Sequence, residues 1–299
     1  MSETRHRSYL KIIWKLTRAE HGIMYAIGVL VGAVLVGVEI TDLRIIFFGC
    51  ITAILLEAGT FALNDYYDYE VDKKNNRLDR PLVTGEITLH EVLIISASLI
   101  AFGMFFALFL TLPCTILAYL SAILGIIYDI RLKETGIGGN VYISLTMAVP
   151  FIFGGLLVKP EVIDPILIIL ASIAFFIGFG REVMKGIVDI EGDAIRDVST
   201  IARKWGILRA KQVSTGLYLL GVSISPLPFI LNLNTSYYMN LAYLIPLLVT
   251  DLILVYVGFR LIAADSVGVN RLRSLTLVAL LIGLVAFLTG AIIRVPLKF

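Results

Sequence analysis

Charge is what this sequence has least of. Only 16% of its 299 residues are Asp, Glu, Lys or Arg, against about 25% in a soluble domain. Cysteine and histidine are scarcer still, with two of the first and three of the second. Cys50 and Cys114 both lie inside apolar runs and show neither C-x-x-C nor Cys/His spacing. They read as small core residues and exclude a zinc or dithiol site. His6, His21 and His90 form no ligand spacing; His21, beside Arg18 and Glu20, is the one placed near other charges. No Pro/Gly/Ser-rich linker or low-complexity tract divides the chain, so it reads as one domain over 1–299. The polar Met-Ser-Glu-Thr start is no cleavable signal peptide.

What fills the space is apolar residue after apolar residue. The hydrophobic share is 58% and the mean hydropathy +0.91. Runs close to the ~20 residues that cross a bilayer recur at 22–38, 43–63, 89–110, 113–128, 140–158, 163–180, 212–231, 240–259 and 275–293. The expected fold is therefore all-α, a polytopic membrane bundle of about nine helices. Ahead of the first run, Lys11, Lys15 and Arg18 alternate with Ile12, Ile13, Trp14 and Leu16. Such a basic amphipathic stretch, over 1–21, reads as an interfacial helix. With the N-terminus inside, 21 of the 25 Lys and Arg fall on the inner side, the excess expected of cytoplasmic loops. The expected location is a cell membrane, crossed many times, with the N-terminus cytoplasmic.

Two acidic clusters stand at the ends of apolar runs, both on that inner side. The first contains Asn64, Asp65, Asp68 and Asp72; the second contains Asp189, Asp193 and Asp197. Residues three and four apart share a helix face, so each cluster forms a stripe of carboxylates. Stacked carboxylates repel unless something positive lies between them. An all-oxygen ligand set suits a hard cation such as Mg2+, which shares itself readily with substrate phosphates. Two facing stripes at a membrane surface therefore look like a trap for a metal-bound diphosphate.

Other charged positions group around these. Arg181 and Lys185 precede Asp189 by successive turns, and Lys185 is placed either to neutralise the stripe by i,i+4 pairing or to reach the diphosphate. Arg80, beside Pro81, offers a fork-shaped guanidinium to phosphate oxygens. Tyr66, Tyr67 and Tyr69 read first as interfacial anchors. Gly136-Ile137-Gly138-Gly139-Asn140 has no G-x-G-x-x-G pattern and reads as a turn between spans. Glu57 and Asp251 lie within spans, where a carboxylate is a functional hypothesis by default. Glu57 sits two turns before Asn64 on nearly the same face, while Asp251 has no evident partner. The repeated D-x-x-x-D, Asp68 to Asp72 and Asp189 to Asp193, hints at pseudo-symmetric halves.

N-D-x-x-D-x-x-x-D after the second span, Arg80-Pro81-Leu82 beyond it and D-x-x-x-D after the sixth resemble the UbiA superfamily of intramembrane prenyltransferases, over essentially the whole chain. The resemblance implies a bundle around a central cavity open to lipid. It implies Mg2+ held by Asn64, Asp65, Asp68, Asp72, Asp189, Asp193 and Asp197, with Asp68, Asp72, Asp189 and Asp193 as the catalytic acids. Arg80, Lys185 and Arg181 would bind the diphosphate; Arg18, Tyr128, Arg131 and Lys133 would face the acceptor. Tyr128 to Lys133, Gly136, Asn140 and Arg181 to Lys185 look most like the archaeal branch that makes digeranylgeranylglyceryl phosphate. Two positions depart from the superfamily pattern: Lys133 stands one step late for Tyr-x-x-x-Lys, and Arg18-Ala19-Glu20-His21 replaces R-P-x-N. The expected reaction is transfer of a prenyl group, geranylgeranyl by preference, from its diphosphate to the hydroxyl of geranylgeranylglyceryl phosphate. The alternative acceptor is an aromatic of the 4-hydroxybenzoate type. A secondary transporter is the rival from another class, but transporters place charge near the midplane, and here most acids gather at one interface. The expected partners are these two substrates and membrane lipid, with no nucleic acid and no obligate protein partner.

Overall fold

The computed structural model describes residues 2–190 and 198–297, with side chains from Tyr9 onward. Its long elements are helices: α1 (Ser2–Thr17), α2 (Ala19–Leu35), α3 (Leu43–Lys74), α4 (Leu89–Ala107), α5 (Leu112–Ile130), α6 (Ile137–Val158), α7 (Pro165–Val188), α8 (Ile207–Ile224), α9 (Leu241–Ala263) and α10 (Ser266–Ile292). Short helices Ile201–Trp205 and Leu227–Ile230 flank α8. Among the described residues the sole strand-like pairing is a bridge between Asn240 and Pro296. Eight helices are long and apolar enough to cross a membrane, and the bent pair Tyr9–Thr17 with Ala19–Leu35 makes a ninth. The all-α, nine-span reading holds, and this is a multi-pass membrane protein.

Helix ends follow local chemistry. Thr88 and Glu91 exchange bonds with each other's backbone at the start of α4. Asp164, Asn240 and Asp265 cap α7, α9 and α10 through side-chain oxygens. Each satisfies amide donors that the first helical turn leaves without partners.

Three boundaries differ from the sequence reading. The first run, 22–38, falls mainly in α2, and the helix ahead of it meets α2 at 55° around Arg18, whose φ of 45° is left-handed. The amphipathic helix therefore ends at Thr17, not at 21. Its Ile12 and Leu16 bury against Ala62, Leu82 and Val92, while Leu10 and Trp14 stay exposed on the other side. Second, α3 continues unbroken to Lys74, so the first acidic cluster is the last three turns of a membrane helix. Third, α7 stops at Val188 with Asp189 as its C-cap. Of the expected second stripe only Asp189 is described; Asp193 and Asp197 lie outside the described residues.

The helices follow one another around a ring. α3 packs on α2, α4 and α5; α6 packs on α2 and α7; α8 packs on α7 and α9; and α10 returns to α2 and α7. The α2–α6 seam is the closest. A Cβ on Gly32 would run into the Phe151 carbonyl oxygen, and one on Gly154 into that of Val29. Small residues here let the two backbones touch, the usual way membrane helices gain packing without a hydrophobic drive.

Candidate active site

The inner end of this ring gathers the charges. Because α3 stays helical through the first cluster, Asp65, Asp68 and Asp72 do share a face, and Asp65 is only 2% exposed. Arg18 Nη2 lies 2.9 Å from Asp65 Oδ1, and Arg80 Nη1 lies 3.4 Å from the same oxygen. Arg80 Nε also stands 3.7 Å from Asp72 Oδ2. Lys133 pairs with Asp68. The positive charge that stacked carboxylates demand is therefore supplied by three basic side chains from three separate segments. Arg18 is held from its other side by the Phe61 ring, 4.2 Å from the guanidinium carbon.

The register departure at Lys133 has a structural reason. α5 ends at Ile130, and Leu132–Thr135 form a 3-10 turn. Counting in helical steps from Tyr128 no longer applies, and the turn brings Lys133 back onto Asp68. Gly136 closes this turn at φ 69°, and a Cβ there would collide with the Ser199 carbonyl. Ser199 N–H donates to the Glu134 carbonyl at 3.2 Å. The loop after α5 is thereby fastened to the segment beyond the second acidic cluster. Arg77 makes a further link. Its two-pronged bond to Asp79, at 2.9 Å, holds its pKa above the usual arginine value, and the fields of Asp72 and Asp189 add to that.

The second cluster is placed only in part. Arg181 lies 3.7 Å and Lys185 3.4 Å from Glu182, so the partner of Lys185 is Glu182 and not Asp189. Arg181 is largely buried, its Nε has no hydrogen-bond partner, and it lines a cavity in the bundle. Tyr128 stacks on Tyr142 with ring centroids 5.1 Å apart. Arg131 is exposed at the C-cap of α5 and joins none of the ion pairs described.

Two acids that belong to this cluster were not singled out from the sequence. Asn64 Nδ2 donates to Asp129 Oδ1 at 2.8 Å, and Asp129 is 2% exposed. Glu182 is the common partner of Arg181 and Lys185. Both had a readable signal, a lone carboxylate inside or ending an apolar run, of the kind already noticed at Glu57 and Asp251. His21 does join the region: its ring meets Phe61 edge-on at 5.1 Å, and it lines the same cavity as Arg181.

The donors suit a hard divalent cation. They are all oxygen, and Asp65 Oδ2 is buried without a hydrogen-bond partner. In this arrangement, however, among the described residues no three acidic, His or Cys side chains converge as a ready-made metal cage. The three cations hold the acids instead.

The model of the UbiA prenyltransferase family matches residues 25–274. The chain belongs to this family. It is therefore a prenyltransferase. A protein of Archaeoglobus fulgidus named digeranylgeranylglyceryl phosphate synthase is 44% identical over 286 residues, which cover 95% of this chain and 97% of that one. A solved digeranylgeranylglyceryl phosphate synthase in membranes superposes with a TM-score of 0.71 at 27% identity, covering 95% of this chain and 98% of the other. A UbiA homologue from Archaeoglobus fulgidus, solved bound to GPP and Mg2+, superposes with a TM-score of 0.61 at 17% identity, covering 92% of this chain and 99% of its own. That last likeness is one of fold.

Proposed function

We propose that this UbiA prenyltransferase moves a geranylgeranyl group from its diphosphate to the free hydroxyl of geranylgeranylglyceryl phosphate. The observation that carries the reading is the 44% identity, across 95% of the chain, to a relative named for that product. The charge balance of the site points the same way. An acceptor bearing a phosphate needs more positive charge beside the diphosphate than an aromatic carboxylate does. Arg18, Arg80 and Lys133 already stand together at the first cluster, with Arg181 and Lys185 at the second.

Asn64, Asp65, Asp68 and Asp72, with Asp189, Asp193 and Asp197, are the residues we assign to Mg2+. Bound there, the ion would neutralise charge on the diphosphate as it leaves. The rest is done by the chain itself. As the diphosphate arrives, Arg80, Arg181 and Lys185 turn from carboxylates to phosphate oxygens, and their fixed charge favours breaking the allylic C–O bond. Arg18, Tyr128, Arg131 and Lys133 face the acceptor, with Lys133 taking its phosphate. Apolar cavity walls such as Ile177, Leu254 and Phe287 hold the prenyl tail and keep water from the allylic cation. The excess of Lys and Arg on the inner side supports an active site that opens to the cytoplasm.

The deciding experiment offers purified protein labelled geranylgeranyl diphosphate and Mg2+ with two acceptors together, geranylgeranylglyceryl phosphate and 4-hydroxybenzoate. Label entering the glyceryl lipid is expected. Label entering the aromatic ring instead would refute the acceptor while leaving the prenyltransferase untouched.

A further inference from the structure

Two cavities open inside the ring, and they are different in kind. The larger lies among α2, α6, α7, α9 and α10, runs inward from His21 and Arg181, and is walled by apolar side chains. The second lies among α2, α3, α5 and α6, directly beneath the first acidic cluster. Tyr25 of α2 and Pro150 of α6 belong to both and divide them. Toward the charged end, the second cavity is lined by Glu57, Thr60, Tyr142 and Thr146; farther in it is lined by Val29, Ala53, Val149 and Phe153. Its wall thus becomes mostly apolar with depth, with Thr52 as a polar side chain level with Ala53.

The polar end is built and incompletely satisfied. Tyr25 Oη donates to Thr146 Oγ1 at 2.8 Å, and Glu57 lines the cavity beside them. One turn deeper on the Glu57 helix, Thr52 is 1% exposed, lines the same cavity and has no partner for its hydroxyl. A carboxylate kept in such a place is expensive, and no step assigned so far uses it.

Depth makes the connection. Glu57 lies eight residues before Asp65 on one helix, about 12 Å along its axis. A diphosphate drawn to the first acidic cluster would lie within that length. The reacting carbon of a donor held tail inward then comes level with Thr60 and Glu57. We propose that this second cavity receives the acceptor and that Glu57 takes the proton its hydroxyl loses; the inference rests on the glyceryl phosphate reading above. In the step, the bond between prenyl C1 and the diphosphate oxygen breaks, its electron pair leaving with the diphosphate. The acceptor oxygen forms the new bond to C1, and its proton passes to the Glu57 carboxylate, to be returned to water as the products leave. Such a base contributes typically 10²- to 10⁴-fold.

The test uses the full chain in detergent with geranylgeranyl diphosphate, Mg2+ and geranylgeranylglyceryl phosphate. Glu57→Gln should lower kcat at least thirtyfold with the KM for the donor within twofold of wild type, and Glu57→Asp should recover part of the loss. Transfer by Glu57→Gln within threefold of wild type overturns the proposal. A second measurement needs no variant. Dicyclohexylcarbodiimide labels intramembrane carboxylates, and mass spectrometry reads Glu57 and Asp251 separately, one in each cavity. The acceptor alone should protect Glu57 and leave Asp251 reactive; a Glu57 that labels equally with and without acceptor overturns the assignment. Wild-type protein that makes no glyceryl product at all would instead defeat the underlying function, a distinct result.

Discussion

Arg80 and Lys185 carry the same charge and meet different fates on removal. Arg80 touches two buried acids, Asp65 and Asp72, from a position 17% exposed. Truncating it removes one of two cations from Asp65 and a cation from beside Asp72, so Arg80→Ala should cost stability, about 1–3 kcal/mol, as well as diphosphate binding. Lys185 is 46% exposed and bonds only at 3.4 Å. Lys185→Ala should change stability by less than ~1 kcal/mol and show its effect in turnover. Thermal unfolding and KM for the donor, measured together, separate the two cases. The sequence set Arg80 and Lys185 side by side as phosphate ligands because neither pattern nor spacing shows what a loop arginine folds back onto. The same blindness hid Asp129: its bond to Asn64 joins residues 65 apart, beyond the reach of any local rule.

Asp79 offers a pH test outside the membrane. Its bond from Arg77 lowers its pKa to about 2. A depressed carboxylate stabilises the fold above its unfolded pKa near 3.9 and loses that contribution as pH falls through 2. Asp79 is largely exposed, so the contribution is small. Asp79→Asn should lower the melting temperature slightly at pH 7 and by less at pH 2. A difference that grows on acidification would contradict the bond.

At the level of elements, two glycines make opposite predictions. Gly32 sits where α2 meets the α6 backbone, with the Phe151 carbonyl in the path of any side chain. Gly32→Ala must push the helices apart and should cost ~1–3 kcal/mol, with both cavities disturbed because Tyr25 and Pro150 belong to the same two helices. Gly216, within α8, has nothing within 4 Å of an added Cβ. There Gly216→Ala should be neutral or stabilise by up to ~1 kcal/mol. Melting temperatures in detergent read both. The spans themselves were legible because ~20 apolar residues have few other destinations. Their inner ends were not, since hydropathy falls at the acidic clusters whether or not the helix continues. α3 runs on through its cluster to Lys74, while α7 stops at Asp189.

For the molecule as a whole, the cations seated on the acids imply competition with the metal. Removing divalent ions with EDTA should abolish transfer and leave the helical content unchanged, because Arg18, Arg80 and Lys133 already balance Asp65, Asp68 and Asp72. Adding Mg2+ with the donor should restore activity and raise the melting temperature by mass action. Far-ultraviolet circular dichroism that collapses under EDTA would show the metal to be structural, contrary to this reading. The ring was foreseeable as a bundle; its two unequal cavities were not, because which face of each span turns inward depends on contacts such as Gly32 with Phe151.

The fastening of Glu134 to Ser199 has a bearing on how the chain is made. Arg18 with Asp65, Asn64 with Asp129 and Asp68 with Lys133 all close within the first 133 residues. A ribosome that has released α1 to α5 has therefore already delivered a membrane segment in which these three contacts can form. The latch at Ser199 can engage only after α6 and α7 have followed. Until then the loop after α5 lacks its backbone partner at Ser199, and the two inner loops meet only late in synthesis.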